Sequence, residues 1–97
     1  MTRLFTFVCE FRRTTHVSQV AAANEKEAVR AWAVNLRVER PFARASAFLA
    51  KSVEINLDSF PPVSINGVAN VWCITGSCGG DFMLADIVET VPSINGR

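Results

Sequence analysis

The sequence predicts an α+β fold: an antiparallel sheet of two hairpins with one main helix packed on one face, in the order ββα(α)ββ. Three observations predict it. Residues 4–11 and 15–22 alternate apolar and polar side chains around a short reversal, the period of half-buried strands. Residues 25–40 place apolar side chains at helical spacing. Two further strand-like runs, 68–75 and 81–91, flank the glycine-rich segment 76–80.

In the first strand, Phe5, Phe7, Cys9 and Phe11 share one face, with Thr6, Val8, Glu10 and Arg12 opposite. A two-residue reversal at Arg13-Thr14 would set Phe11 against His16, Cys9 against Ser18, Phe7 against Val20 and Phe5 against Ala22. Neither loop residue favours the positive φ of such a turn, so a longer loop and a shifted register stay open. Asn24 is a good helix N-cap, and Glu27 follows three residues later as in a capping box. Ala28, Ala31, Trp32, Asn35 and Leu36 keep helical spacing, which makes Trp32 the anchor on the sheet. Glu27 and Arg30 can pair on the outer side. Pro41 disfavours helical geometry at Arg40 and ends the element.

Phe42, Ala45, Phe48 and Leu49 suggest a short second helix over residues 42–51. Val53, Ile55 and Leu57 alternate like a short strand over 53–57. Phe60-Pro61-Pro62 is a break, and Asn66-Gly67 is a turn signal. In the last hairpin, Thr75 opposite Asp81 would bring Val71, Cys73, Met83 and Ala85 to one face. The other face would carry Trp72 with Leu84, Ile74 with Phe82, and Asn70 with Asp86. Both faces are then apolar, and one covering helix shelters only one of them.

Ninety-seven residues suit one domain spanning 1–97, with residues 92–97 expected as a flexible tail. Such a chain buries roughly 60–65% of its extended surface and folds without staples. A net charge of +1 supplies no field to steer an anionic polymer. Three cysteines are an odd set for a disulfide framework, and the apolar run at 4–9 stops at Glu10, too short for a signal peptide. Reduced thiols in a cytoplasmic protein are the expectation. The uncharged stretch 59–80 is interrupted by prolines, asparagines and glycines, so no membrane helix is expected there. Ser-Ile-Asn-Gly occurs at 64–67 and again at 93–96, but the flanks share no repeat period.

Candidate chemistry is sparse. Cys73, Cys78, Cys9 and His16 supply zinc-type ligands, but four residues separate Cys73 from Cys78 across a strand and a loop. Packed thiols are favoured, and no metal or cofactor is expected. Residues 76–81 are the most enzyme-like stretch. Their glycines can present backbone N–H groups to an anion, and Cys78 can act as a nucleophile if a base or cation is near. The only histidine, His16, lies near the other hairpin's turn. Asp86 interrupts an apolar strand, where a cross-strand bond to Asn70 is a simpler role than catalysis. Arg30, Arg37, Arg40 and Arg44, with Arg12 and Arg13, form a stripe that can meet phosphate, diluted by Glu25, Glu27 and Glu39. A solvated helix face is favoured, and nucleic acid is not the expected partner.

The strand–strand–helix order over residues 7–36, with Asn24-Glu25-Lys26-Glu27-Ala28-Val29 directly after the second strand, is similar to the opening of small antitoxin domains of the HicB type. The resemblance implies a toxin or nucleic-acid partner and carries over no functional residue.

The leading expectation is a small non-enzymatic interaction domain that self-associates through an apolar sheet face marked by Trp72, Ile74, Phe82 and Leu84. The alternatives are a thiol-dependent enzyme or redox protein built on Cys78, with His16 and Asp86 as its candidate helpers, and the antitoxin-like partner.

Overall fold

In the computed structural model, which describes residues 2–91, the chain forms strands β1 (Arg3–Phe11) and β2 (Thr14–Ala22), then helices α1 (Glu25–Glu39) and α2 (Ala45–Asn56). Strands β3 (Val63–Ser64), β4 (Val71–Cys78) and β5 (Asp81–Thr90) follow. The strands make one antiparallel sheet in the order β2-β1-β5-β4-β3. The α+β fold is the expected one. The two hairpins join through β1 and β5, which therefore lie at the centre. The tail expected at 92–97 lies outside the described residues.

Both hairpins pair differently from the sequence expectation. In the first, the turn is Arg12-Arg13, with φ of 49° and 64°. The sheet's own twist demands these left-handed values even from arginine. Cys9 therefore opposes His16 and Phe7 opposes Ser18, a slip of two residues that leaves every side chain on its expected face. In the second, the turn shrinks to Gly79-Gly80, both with positive φ. Cys78 opposes Asp81, and Thr75 opposes Leu84 rather than Asp81. A slip of three is odd, so the pairing of faces inverts. Trp72 and Ile74 now share the helix side with Met83, Ala85 and Ile87, while Phe82, Leu84 and Asp86 lie on the far side with Cys73 and Thr75.

The helix side holds the core. Asn24 caps α1 as expected, its side chain accepting from the Glu27 N–H at 2.9 Å, and Arg30 pairs with Glu27 at 2.6 Å. Trp32 is fully buried and stacks on Phe7, with ring centroids 4.8 Å apart. Arg40 leaves helical geometry directly before Pro41, at φ 51° and ψ 52°. The second helix begins later than expected and runs on through Asn56 with Leu57 as its C-cap, so residues 53–56 are helical rather than a strand. Leu49, Val53 and Leu57 are buried four residues apart while Ile55 is 68% exposed, the pattern of a helix face and not of a pleat. Phe42 precedes the helix, packs edge-on against Phe11, and donates its N–H to the buried Ser46 hydroxyl at 2.9 Å.

Close packing of α2 on β4 depends on Gly76. A Cβ there would lie 3.0 Å from Met83 Cε and 3.4 Å from both Ser52 Oγ and Val53 Cγ1. At the other end of the sheet, Arg3 holds β1 to β5 through a two-pronged pair with Glu89, at 3.0 and 2.8 Å. Its guanidinium keeps the Glu89 carboxyl below the usual carboxylate range. Among the described residues, no helix is long and apolar enough to cross a membrane.

Candidate functional site

Both helices lie on one side of the sheet, and among the described residues nothing covers the other side. The pleat sends Leu4, Thr6, Val8 and Glu10 of β1 to that side. From β5 come Phe82, Leu84, Asp86, Val88 and Thr90, and from β2 Thr15, Val17, Gln19 and Ala21. The register lines these up across the strands. Val17, Val8, Asp86, Cys73 and Val63 form one row, and Gln19, Thr6, Val88 and Val71 form the next. Val17, Val63 and Phe82 are 59%, 63% and 66% exposed, whereas Val8, Leu84 and Val88 are half-buried by their neighbours alone.

Three polar side chains toward one end of this face bond one another or the backbone. Thr6 and Thr90 hydroxyls meet at 2.6 Å, the Gln19 amide donates to Thr6 Oγ1 at 3.0 Å, and the Thr90 hydroxyl reaches the Val88 carbonyl at 3.1 Å. Covering them therefore strips few hydrogen bonds from water. Two carboxylates on the face have no cation paired to them among the described residues: Asp86, half-buried between Val8 and Cys73, and Glu10, exposed beside Leu84. From strand spacing and rise, the face measures about 700 Å². That is close to the roughly 800 Å² per partner of a standard stable interface.

The expected site residues do not converge. Cys78 ends β4 on the helix side, half-buried, its carbonyl accepting from Arg12 at 3.5 Å. His16 lies on the same side but on β2, with its ring edge toward Phe42 and Nε2 3.7 Å from the Glu39 carboxylate. Two strands intervene, so about 14 Å across the sheet and about 13 Å along it separate His16 from Cys78. That is far beyond reach for a nucleophile and its base. Asp86 projects from the opposite side, and its expected partner Asn70 lies outside β4 at φ 63°.

Of the four expected interface residues, Phe82 and Leu84 lie on the open face. Ile74 is buried on the helix side, and Trp72 is half-buried there beside Phe5, centroids 5.9 Å apart. Leu4, Val8 and Val17, which the sequence reading did not single out, complete the face. Their alternation with Phe5, Phe7 and Cys9 was the available signal.

Other chemistry is muted. Burial pushes the Cys9 thiol up to about 12, with Glu10 adding to the effect. That makes it an inert packing group. Cys73 and Cys78 are also free thiols. No group of three or more His, Cys, Asp or Glu suited to a metal occurs among the described residues. Half of the arginine stripe is neutralised within the fold: Arg12 by Asp81, Arg30 by Glu27, and Arg37 by Glu54, each at 2.6 Å. Compared with family models, curated proteins and solved structures, the chain matches none.

Proposed function

We propose that the chain is a non-enzymatic interaction domain that self-associates by burying the open face of its sheet against a second copy. One observation carries the reading. The two central strands place Val8, Leu84 and Val88 on the side that neither helix covers, with Val8 opposite Val17, Val88 opposite Val71, and Leu84 between Glu10 and Thr75. Antiparallel sheets with one wet face place polar side chains there. About half of the residues on this face are apolar, so its apolar part is a few hundred Å², the size at which an exposed patch on a monomer is often a contact surface. The internal bonds of Thr6, Gln19 and Thr90 lower the cost of covering it. Asp86 is the specificity element, since a carboxylate taken out of water needs a donor from across the interface.

Sedimentation equilibrium from micromolar to millimolar concentration tests the reading. The expected result is a mass that rises with concentration toward a multiple of the chain. A mass fixed at one chain throughout would refute it.

A further inference from the structure

We propose that β2 forms a second, separate interface, at which two copies join edge to edge about a two-fold axis through Ser18 and make one ten-stranded sheet. Strand β2 is one edge of the sheet. The two-residue turn at Arg12-Arg13 pairs Phe11 with Thr14, which directs the peptide groups of even-numbered β2 residues toward β1. Those of Thr15, Val17, Gln19 and Ala21 face outward. An antiparallel copy centred on Ser18 sets Thr15 against Ala21 and Val17 against Gln19, and the reverse. Every outward N–H on each strand then meets a carbonyl. No like charges oppose each other, because β2 contains no Lys, Arg, Asp or Glu.

The contrast between the two edges is informative. Natural sheets protect edges with short strands, prolines, charges or covering elements. The far edge has such protection. β3 is two residues long and follows Pro61-Pro62, and beyond it the Ser77 N–H donates to Ser52 of α2 at 3.3 Å. The β2 edge is nine residues long and has neither charge nor proline.

A second observation falls at the proposed axis. Ser18 Oγ is buried and has no hydrogen-bond partner among the described residues. In this register Ser18 faces its own copy in a non-hydrogen-bonded pair, where opposed side chains come closest, and the two hydroxyls can bond each other. A groove of ≈ 450 Å³ runs beside the edge, its floor made by Ala21, Ala22, Ala23 and Ala31 and its rim by Val34 with the Glu27–Arg30 ion pair of α1. The alanines leave room for the partner's flank, and the two charges at the rim already neutralise each other. A foreign strand supplies a mate for Ser18 only where it happens to carry a polar side chain at that position, whereas a second copy in this register supplies one by symmetry.

Oxidative cross-linking of the full chain tests this, with the native protein as background. Opposed residues of a non-hydrogen-bonded pair lie within disulfide reach, whereas Gln19 faces Val17 and not itself. The expected result is that Ser18→Cys forms a covalent dimer at least about tenfold faster than Gln19→Cys. Adding Gln19→Pro removes an N–H that β1 does not use, so the fold holds and the cross-link is lost. If that proline variant does not fold, Gln19→Lys replaces it, placing charge at the edge with the same expected loss. Equal rates for Ser18→Cys and Gln19→Cys, or a cross-link that survives both Gln19 variants, would overturn the proposal. Leu84→Lys separates it from the face reading: the Ser18→Cys cross-link persists in that variant whether or not the face associates.

Discussion

Replacing Leu84 by lysine separates a face that is always wet from a face that becomes covered. Leu84 lies on β5 opposite Glu10 of β1 and Thr75 of β4, half-buried in the single chain. In the monomer, a lysine there keeps its stem on the sheet and gains Glu10 as a cross-strand partner worth about 0.2–1 kcal/mol. Monomer stability should therefore change by less than about 1 kcal/mol. Across an interface the outcome differs. Full burial of a leucine contributes about 1.5–3 kcal/mol, of which roughly half is already present in the single chain. The variant thus forfeits about 1 kcal/mol per copy, or about 2 kcal/mol for two copies meeting face to face, a weakening of about 30-fold. Desolvating two ammonium groups raises this beyond about 100-fold. Urea unfolding at low concentration reads the first quantity and sedimentation equilibrium the second. With Gln19→Lys present in both chains to remove the edge contact, a Leu84→Lys variant that associates as tightly as its parent would refute the reasoning.

Two further outcomes follow from the core. Gly76→Ala should destabilise the fold by about 1–2 kcal/mol, because the added methyl meets Met83 and Val53 where α2 closes on β4; an unchanged urea midpoint would mean that α2 is less tightly seated. Cys9 should make the fold alkali-sensitive. Burial raises its folded pKa from 9.0 to about 12, so its stabilising effect is complete below the unfolded value and is lost as pH rises through this window. Stability of the native chain should fall more steeply above pH ~9 than that of Cys9→Ala, and parallel pH curves for the two would contradict the burial of the thiol.

The elements were legible in the sequence where local chemistry and tertiary packing agree. Asn24 caps α1, Trp32 anchors it, and Phe5, Phe7, Cys9 and Phe11 face the core as their alternation indicates. Register was less legible, because it depends on which residues accept left-handed backbone. Arginine disfavours that conformation, so nothing local marked Arg12-Arg13 as the turn. Gly79-Gly80 did carry a signal, since a Gly-Gly pair suits a two-residue hairpin turn. Reading the whole segment 76–80 as loop obscured it and exchanged the faces of Trp72 and Ile74. Residues 53–57 fit both periods, and only the burial of Leu49, Val53 and Leu57 against the sheet decides for helix. The strand order, with β1 beside β5, arises from long-range pairing that no local pattern encodes. The open face is half legible: alternation sets Val8 on the face opposite Phe5, Phe7 and Cys9 and marks Phe82 and Leu84 as apolar strand residues, but which side stays uncovered shows only once both helices are seen on the same side.

The most direct measurement of the central claim is methyl NMR with a soluble paramagnet at rising protein concentration. Ile55, 68% exposed on α2, serves as the reference for a methyl that stays in water. The account predicts that Val8, Leu84 and Val88 become protected from broadening as concentration rises while Ile55 does not. Methyls of the open face that broaden equally at every concentration would contradict it.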